Sequence, residues 1–128
     1  MQLLLDTHVL LWAALGAERL SAPARALIAD AGNQPWFSAA SLWEITIKSG
    51  LGRPDFAVDA GLLRRGLLDH GWQELAISGT HALAVASLPP LHRDPFDRLL
   101  VAQARHEGMA LITADATLPA YPGTIIRV

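Results

Sequence analysis

The sequence predicts an α/β fold, a short parallel sheet of four to five strands covered by helices on both faces. Two observations carry this. Short apolar runs of strand length alternate with longer runs of helix length along nearly the whole chain, the pattern that strand–helix–strand crossovers impose. Hydrophobic residues make up 52% of the 128 positions and charged residues only 17%, enough apolar side chain to cover a sheet on both sides in a single domain, residues 1–128.

The elements follow in order. "QLLL", Gln2–Leu5, closes in Asp6 and reads as a buried strand. "THVLLWAALG" is a helix that stops at Gly16, and "LSAPARALIADAG" is a second, capped by Ser21 and stopped near Gly32. "PWFS" is a short strand. "SAASLWEITIKSGLG" is a third helix, with Ser38 as cap and Gly50 as stop. The loop from Gly50 to Asp55 gathers three turn formers and is the expected mobile region. "DAGLLRRGLLDHG" is an amphipathic helix and "WQELAI" a strand, and "SGTHALAVASLPP" is a helix ended by Pro89 and Pro90. "DPFDRLLVAQARHEG" opens on Asp94 as N-cap with Pro95 at the first helical position, and Asp97 sits where a capping-box acid would sit. "MALITAD" is a strand ending in an acid, and "TIIRV" is the last short strand.

Composition excludes several kinds of chemistry. No cysteine is present, so neither disulfides nor thiolates contribute. The five histidines, His8, His70, His81, His92 and His106, are scattered without zinc-ligand spacing. The longest apolar run, Val9–Leu15, is shorter than the roughly 20 residues a bilayer span needs. The start, "MQLLLDTH", lacks the pattern of a secretory leader, and a cytoplasmic protein is expected. The net charge of −2 exerts no global pull on nucleic acid. The cations are nonetheless nine arginines and a single lysine, Lys48, and arginine grips phosphate bidentately.

The acids are distributed in a telling way. Open parallel sheets form sites beyond the carboxyl ends of their strands. Asp6 ends the first strand, Asp115 ends "MALIT", and Asp97 starts the helix before that strand. These three map to one rim, and Glu44, mid-helix, could reach it from the side. Each has a structural alternative. Asp6, alone or with Thr7, could cap the first helix; Glu44 could pair with Lys48 at i,i+4; Asp115 could start the "ADATLP" turn; Asp94 could serve only as a cap. Gathered together, four carboxylates repel unless a cation is present. A hard divalent ion such as magnesium resolves the conflict and brings substrate phosphate with it. An acid cluster of this kind points to metal-dependent phosphodiester hydrolysis.

The stretches "LLLDTHVLLW", "FSAASLWEITIKSGLGR", "LHRDPFDRLLVAQA" and "LITAD" span the chain. Together they resemble the PIN-domain ribonucleases, most closely the VapC-type toxins of bacterial toxin–antitoxin pairs. The resemblance implies a PIN-like α/β/α sandwich and an endoribonuclease with an acidic Mg2+ site, Mn2+ being able to substitute. Matched residue by residue, it implies Asp6, Glu44, Asp97 and Asp115 as catalytic and metal-binding acids. Asp6 and Asp97 would hold the ion most directly, while Glu44 and Asp115 complete the pocket and position or deprotonate water. Thr7, Ser38 and Thr113 match the small hydroxyl residues near that pocket. Arg93 and Arg98, with Arg64 and Arg65, could contact RNA phosphates or simply be solvated. Implied partners are an antitoxin whose tail blocks the acidic groove, an RNA substrate and a second copy in a homodimer, with no membrane. Trp12 and Trp43 are expected to pack in the core, with a groove or dimer face as the alternative. One rival is a non-catalytic PIN-like module that docks RNA or protein without cutting. Another is a phosphoryl-transfer domain with Asp6 as nucleophile, against which His8 counts, because such phosphatases place a second Asp two residues on.

Overall fold

The computed structural model of the protein describes residues 1–16, 18–52 and 56–128. The chain runs β1 (Gln2–Leu5), α1 (Thr7–Leu15), α2 (Ala22–Ala29), β2 (Gln34–Ser38), α3 (Ala39–Ser49), α4 (Ala60–Asp69) and β3 (Gln73–Leu75). It continues through α5 (Gly79–Ala84), α6 (Pro95–Glu107), β4 (Ala110–Thr113) and β5 (Ile125–Arg127). Two 3₁₀ turns, Val85–Ser87 and Leu118–Ala120, complete it. The expected loop at Gly50–Asp55 falls partly on residues 53–55, which lie outside the described residues. Among the described residues no helix is long and apolar enough to cross a membrane.

All five strands pair in parallel in the order β3-β2-β1-β4-β5. The chain winds outward from β1 to β2 and β3, then returns to lay β4 on the other side of β1. That reversal opens a crevice at the carboxyl ends of β1 and β4. Leu5 lies opposite Ile112, and the Asp6 amide donates to the Ile112 carbonyl at 3.0 Å, so the pairing carries one residue past the strand.

The "LLL" of β1 is apolar throughout because both of its faces are covered. Leu3 and Leu5 pack with Val9, Leu10, Phe37, Leu67 and Ile112 on one side of the sheet. Leu4 packs with Leu100, Val101, Leu111, Leu118 and Tyr121 on the other.

Caps and stops match the sequence closely. Ser21, Ser38, Asp59, Ser78 and Asp94 cap α2 to α6 in turn. Gly16 and Gly108 end α1 and α6 in the left-handed conformation, which glycine adopts without a Cβ clash. One helix differs. The "SGTHALAVASLPP" run is regular only to Ala84 and then tightens into the 3₁₀ turn. Pro89 forces Leu88 into extended backbone (ψ 143°). The Arg98 guanidinium braces this turn, donating to Val85 O at 3.2 Å and Pro89 O at 3.4 Å, carbonyls that also accept the Leu88 and Leu91 amides.

Leu4 is fully buried at the centre of the sheet. Leu4→Ala should lower unfolding free energy by roughly 2–5 kcal/mol in denaturant titrations, whereas the same change at exposed Leu83 should cost less than about 1 kcal/mol.

Candidate functional site

The crevice is an acidic pocket of about 460 Å3 walled by Asp6, His8, Trp12, Arg19, His92, Asp94, Asp97, Ala114 and Asp115. Asp6 enters it from the end of β1 as the N-cap of α1, only 4% exposed. Its Oδ1 accepts the Val9 amide at 2.9 Å, and its Oδ2 accepts a short bond from the Thr113 hydroxyl. The Thr113 oxygen in turn accepts the Asp115 amide at 3.0 Å. One hydroxyl thus ties together the ends of the two central strands. Burial raises the Asp6 carboxyl above its usual range, a tendency that the Thr113 and Val9 bonds oppose.

Asp97 comes from the first turn of α6. Asp94 holds that turn, its Oδ1 accepting the amides of Phe96 at 2.8 Å and Asp97 at 3.3 Å. Asp94 is therefore the cap that the sequence implies, and its charge also faces the pocket. Burial first, then the negative charges of Asp94, Asp6 and Glu44, push Asp97 up to about 7, with His92 pulling the other way. For Asp115, burial acts upward but is outweighed. The Thr117 hydroxyl and amide both donate to its Oδ1, at 2.7 and 2.8 Å, and His92 lies against its Oδ2, so its pKa is lowered.

His92 is a pocket residue that the sequence reading missed, because "LHRDP" offers no metal-ligand spacing. Its Nδ1 accepts the Asp94 amide at 3.0 Å. The neutral ring must then carry its proton on Nε2, which lies 3.0 Å from Asp115 Oδ2 and 3.7 Å from Asp97 Oδ2. The backbone amide of His92 is anchored on the buried Tyr121 hydroxyl at 2.8 Å. Ligand atoms of His92, Asp97 and Asp115 all lie within 4.8 Å of one another, a grouping that could hold a metal ion. His81, His106 and Glu107 form a second such group. There, however, His81 Nδ1 accepts the Ser78 amide at 3.1 Å, leaving Nε2–H to donate to Glu107 at 2.9 Å, a tie between α5 and α6.

Glu44 sits behind the wall. It is 2% exposed and both of its oxygens are engaged. Oε1 lies 2.6 Å from the Thr7 hydroxyl and Oε2 2.7 Å from Lys48 Nζ. The i,i+4 pair with Lys48 is thus realised, and the Glu44 charge still reaches Asp97. Thr7 has one hydroxyl proton; given to Glu44, it leaves Ser41, at 2.9 Å, to donate to Thr7. Thr7 and Thr113 hold carboxylates rather than face the pocket. Ser38 caps α3 and donates to Gln103 at 2.6 Å, so it ties α3 to α6 away from the acids.

Two of the arginines differ from expectation. Arg98 is turned onto backbone carbonyls, and Arg64 pairs with Glu74 at 2.6 Å. Arg65 and Arg93 are exposed. Among the described residues, Arg19 is the one guanidinium lining the pocket. No signal in the sequence singled it out. Trp43 is not in the core: it is 59% exposed and meets Phe96 edge-on at 5.4 Å, because α3 buries its Ala40, Ser41, Glu44 and Ile45 side instead. Trp12 does pack against the core, as expected, and also lines the pocket.

The donor set fits a hard cation. Four pocket carboxylates, Asp6, Asp94, Asp97 and Asp115, with Glu44 close behind, crowd the site enough to push Asp97 up to about 7, a conflict that a divalent ion with oxygen ligands would relieve.

The PIN domain family model matches residues 3–123. The chain belongs to the PIN domain family. Solved structures with the same fold include the VapBC2 complex from Rickettsia felis bound to a DNA fragment from its promoter. That match has a TM-score of 0.73 and 15% identity over 99% of this chain and 98% of the other. VapBC-1 from nontypeable Haemophilus influenzae follows, with a TM-score of 0.64 and 16% identity over 99% and 98%. A domain of a functionally unknown protein from Methanocaldococcus jannaschii has a TM-score of 0.59 and 13% identity over 99% and 90%. At these identities the likeness is one of fold. No curated protein matches this PIN chain in sequence.

The raised Asp97 pKa has a consequence for stability. Folded, the group keeps its proton to about 7; unfolded, it releases it near 3.8, so between these values the folded chain binds more protons. Stability of the metal-free protein therefore falls as pH rises through that window. Asp6 acts in the same sense and Asp115 in the opposite one. Thermal melts without metal should show a lower Tm at about pH 8 than at about pH 5, and Asp97→Asn should raise stability at the higher pH by roughly 1–3 kcal/mol. An equal drop in the variant would remove Asp97 as its source.

Proposed function

We propose that this PIN domain, residues 1–128, is a metal-dependent endoribonuclease, the VapC-type toxin of a toxin–antitoxin pair. The observation that carries this reading is the acid cluster at the strand-order reversal, crowded enough to push Asp97 to about 7. Asp6 and Asp97 would hold a Mg2+ or Mn2+ ion, and Asp115 would complete the set. Bound there, the ion would supply positive charge to the scissile phosphate and lower the pKa of water.

The chain's own groups do the rest. Asp6 is fixed by Thr113 and by the start of α1, so its carboxylate meets the ion without reorganising. Asp94 keeps Asp97 at the head of α6. Glu44, held by Thr7 and Lys48, adds negative charge from behind the wall and does not touch substrate. Asp115, poised by Thr117 and His92, is the carboxylate free enough to orient or deprotonate an attacking water. The burial of Asp6 and Glu44 weakens solvent screening of their charges.

Two surfaces support the partners. An apolar groove of about 550 Å3 between α1, α2 and α4, with Leu15, Leu20, Ile28, Leu63 and Trp72 on its walls, suits an apolar segment of an antitoxin. Exposed Trp43, edge-on to half-buried Phe96, suits a self-association face.

The test is cleavage of total bacterial RNA by antitoxin-free protein, with Mg2+ or Mn2+ and with EDTA. Cutting should need the metal. Asp6→Asn and Asp97→Asn should each reduce it by roughly a hundredfold or more while leaving the far-UV CD spectrum unchanged. RNA binding without cutting under either metal, and without metal affinity by calorimetry, would instead identify a docking module.

A further inference from the structure

We propose that the aromatic side of the acidic pocket, Trp12 with His8, is a nucleobase-stacking subsite, and that Arg19 binds the phosphate attached to the stacked nucleotide. The inference rests on the nuclease reading and adds a site for the substrate that the acids alone do not provide.

His8 and Trp12 lie one turn apart on α1 and both line the pocket. Their ring centroids are 6.1 Å apart with planes tilted by 43°. Asp6 caps the same helix, so the aromatic wall and the acid wall are fixed to each other through two turns of backbone. Trp12 is half-buried and packed on the core cluster of Leu3, Leu5 and Val9. An indole held in this way loses little freedom on stacking. Among the described residues no buried side-chain nitrogen lacks a partner, so the Trp12 Nε1–H, which has no protein acceptor, reaches solvent.

Charge decides what kind of ligand fits. A wall of acids repels a polyanion everywhere except at a bound cation or a guanidinium. Among the described residues, Arg19 is the one guanidinium on the wall. A nucleotide meets both demands at once, its base on the indole and its phosphate on Arg19. A cationic peptide side chain would be attracted by the acids but repelled by Arg19. Stacking would favour single strands, because a paired base presents no free face.

The test measures binding rather than cutting. Fluorescence anisotropy would follow the antitoxin-free protein with a short single-stranded RNA of mixed sequence, with Ca2+ in place of Mg2+. A parallel set of oligonucleotides would each lack one base. Wild type should lose roughly fivefold or more in affinity when the stacked base is missing. Trp12→Leu should bind the intact RNA that much more weakly and lose little more on the abasic one. Trp12→Phe, which keeps a ring, should retain most of the affinity and guards against a folding defect in the leucine variant. Arg19→Gln, on an exposed turn, should weaken binding and flatten its salt dependence by about 0.7 in log–log slope. Equal base-removal losses in wild type and Trp12→Leu would overturn the subsite and leave the nuclease reading intact. RNA that does not bind to the wild type at all would overturn both.

Discussion

The parallel pairing of β1 with β4 is the constraint on which the rest of the structure depends. Those strands are far apart in sequence, and the strand order reverses between them. Register sets Leu5 against Ile112, and therefore sets Asp6 and Thr113 at the same height on the rim. The Thr113 hydroxyl can then reach Asp6 while accepting the Asp115 amide. A slip of one residue would turn Leu3 and Leu5 to the wrong face and separate these groups. Burial of the "LLL" strand on both faces makes such a slip costly. The apolar core and the acid pocket are thus two outcomes of one register.

What the fold assembles there is electrostatically unfavourable by itself. Four carboxylates share a partly buried crevice and a fifth, Glu44, presses from behind. The sequence supplies partial remedies: amides at helix starts, threonine hydroxyls, the Lys48 pair and the His92 N–H. They settle Asp115 and soften the burial of Asp6. They do not settle Asp97, which stays near 7. A protein that keeps such a strained group at the mouth of its sheet stores there a demand for positive charge. The same demand restrains the free chain, which without a cation is less stable at the pH where its acids ionise.

Much of this was legible in the sequence. Alternating strand and helix runs, capping residues and the three rim acids each signal through local pattern, and local pattern is what short stretches encode. Asp94 and Asp97 illustrate both the reach and the limit. Their capping roles follow from three residues of context, but the shift on Asp97 depends on Asp6 and Glu44, which only the fold brings near. Glu44 was expected to reach the rim from the side and lies behind it, held by the i,i+4 pair with Lys48 and by the Thr7 hydroxyl. His92 and Arg19 were not legible as site residues, since nothing in their neighbourhoods marks them. Their places come from the fold: His92 is anchored on Tyr121, and Arg19 lines a pocket whose acids come from distant parts of the chain. Arg98 carried the right chemistry for phosphate and is turned instead onto the backbone carbonyls of Val85 and Pro89.

The most direct measurement is the titration of the Asp97 carboxyl by carbon-detected NMR, with and without Mg2+. The expected result is an apparent pKa near 7 in the metal-free protein, falling into or below the ordinary carboxylate range when the ion is added. A midpoint near the ordinary value without metal, and no response to Mg2+, would contradict the claim that crowded, buried acids at the β1–β4 rim create a cation site.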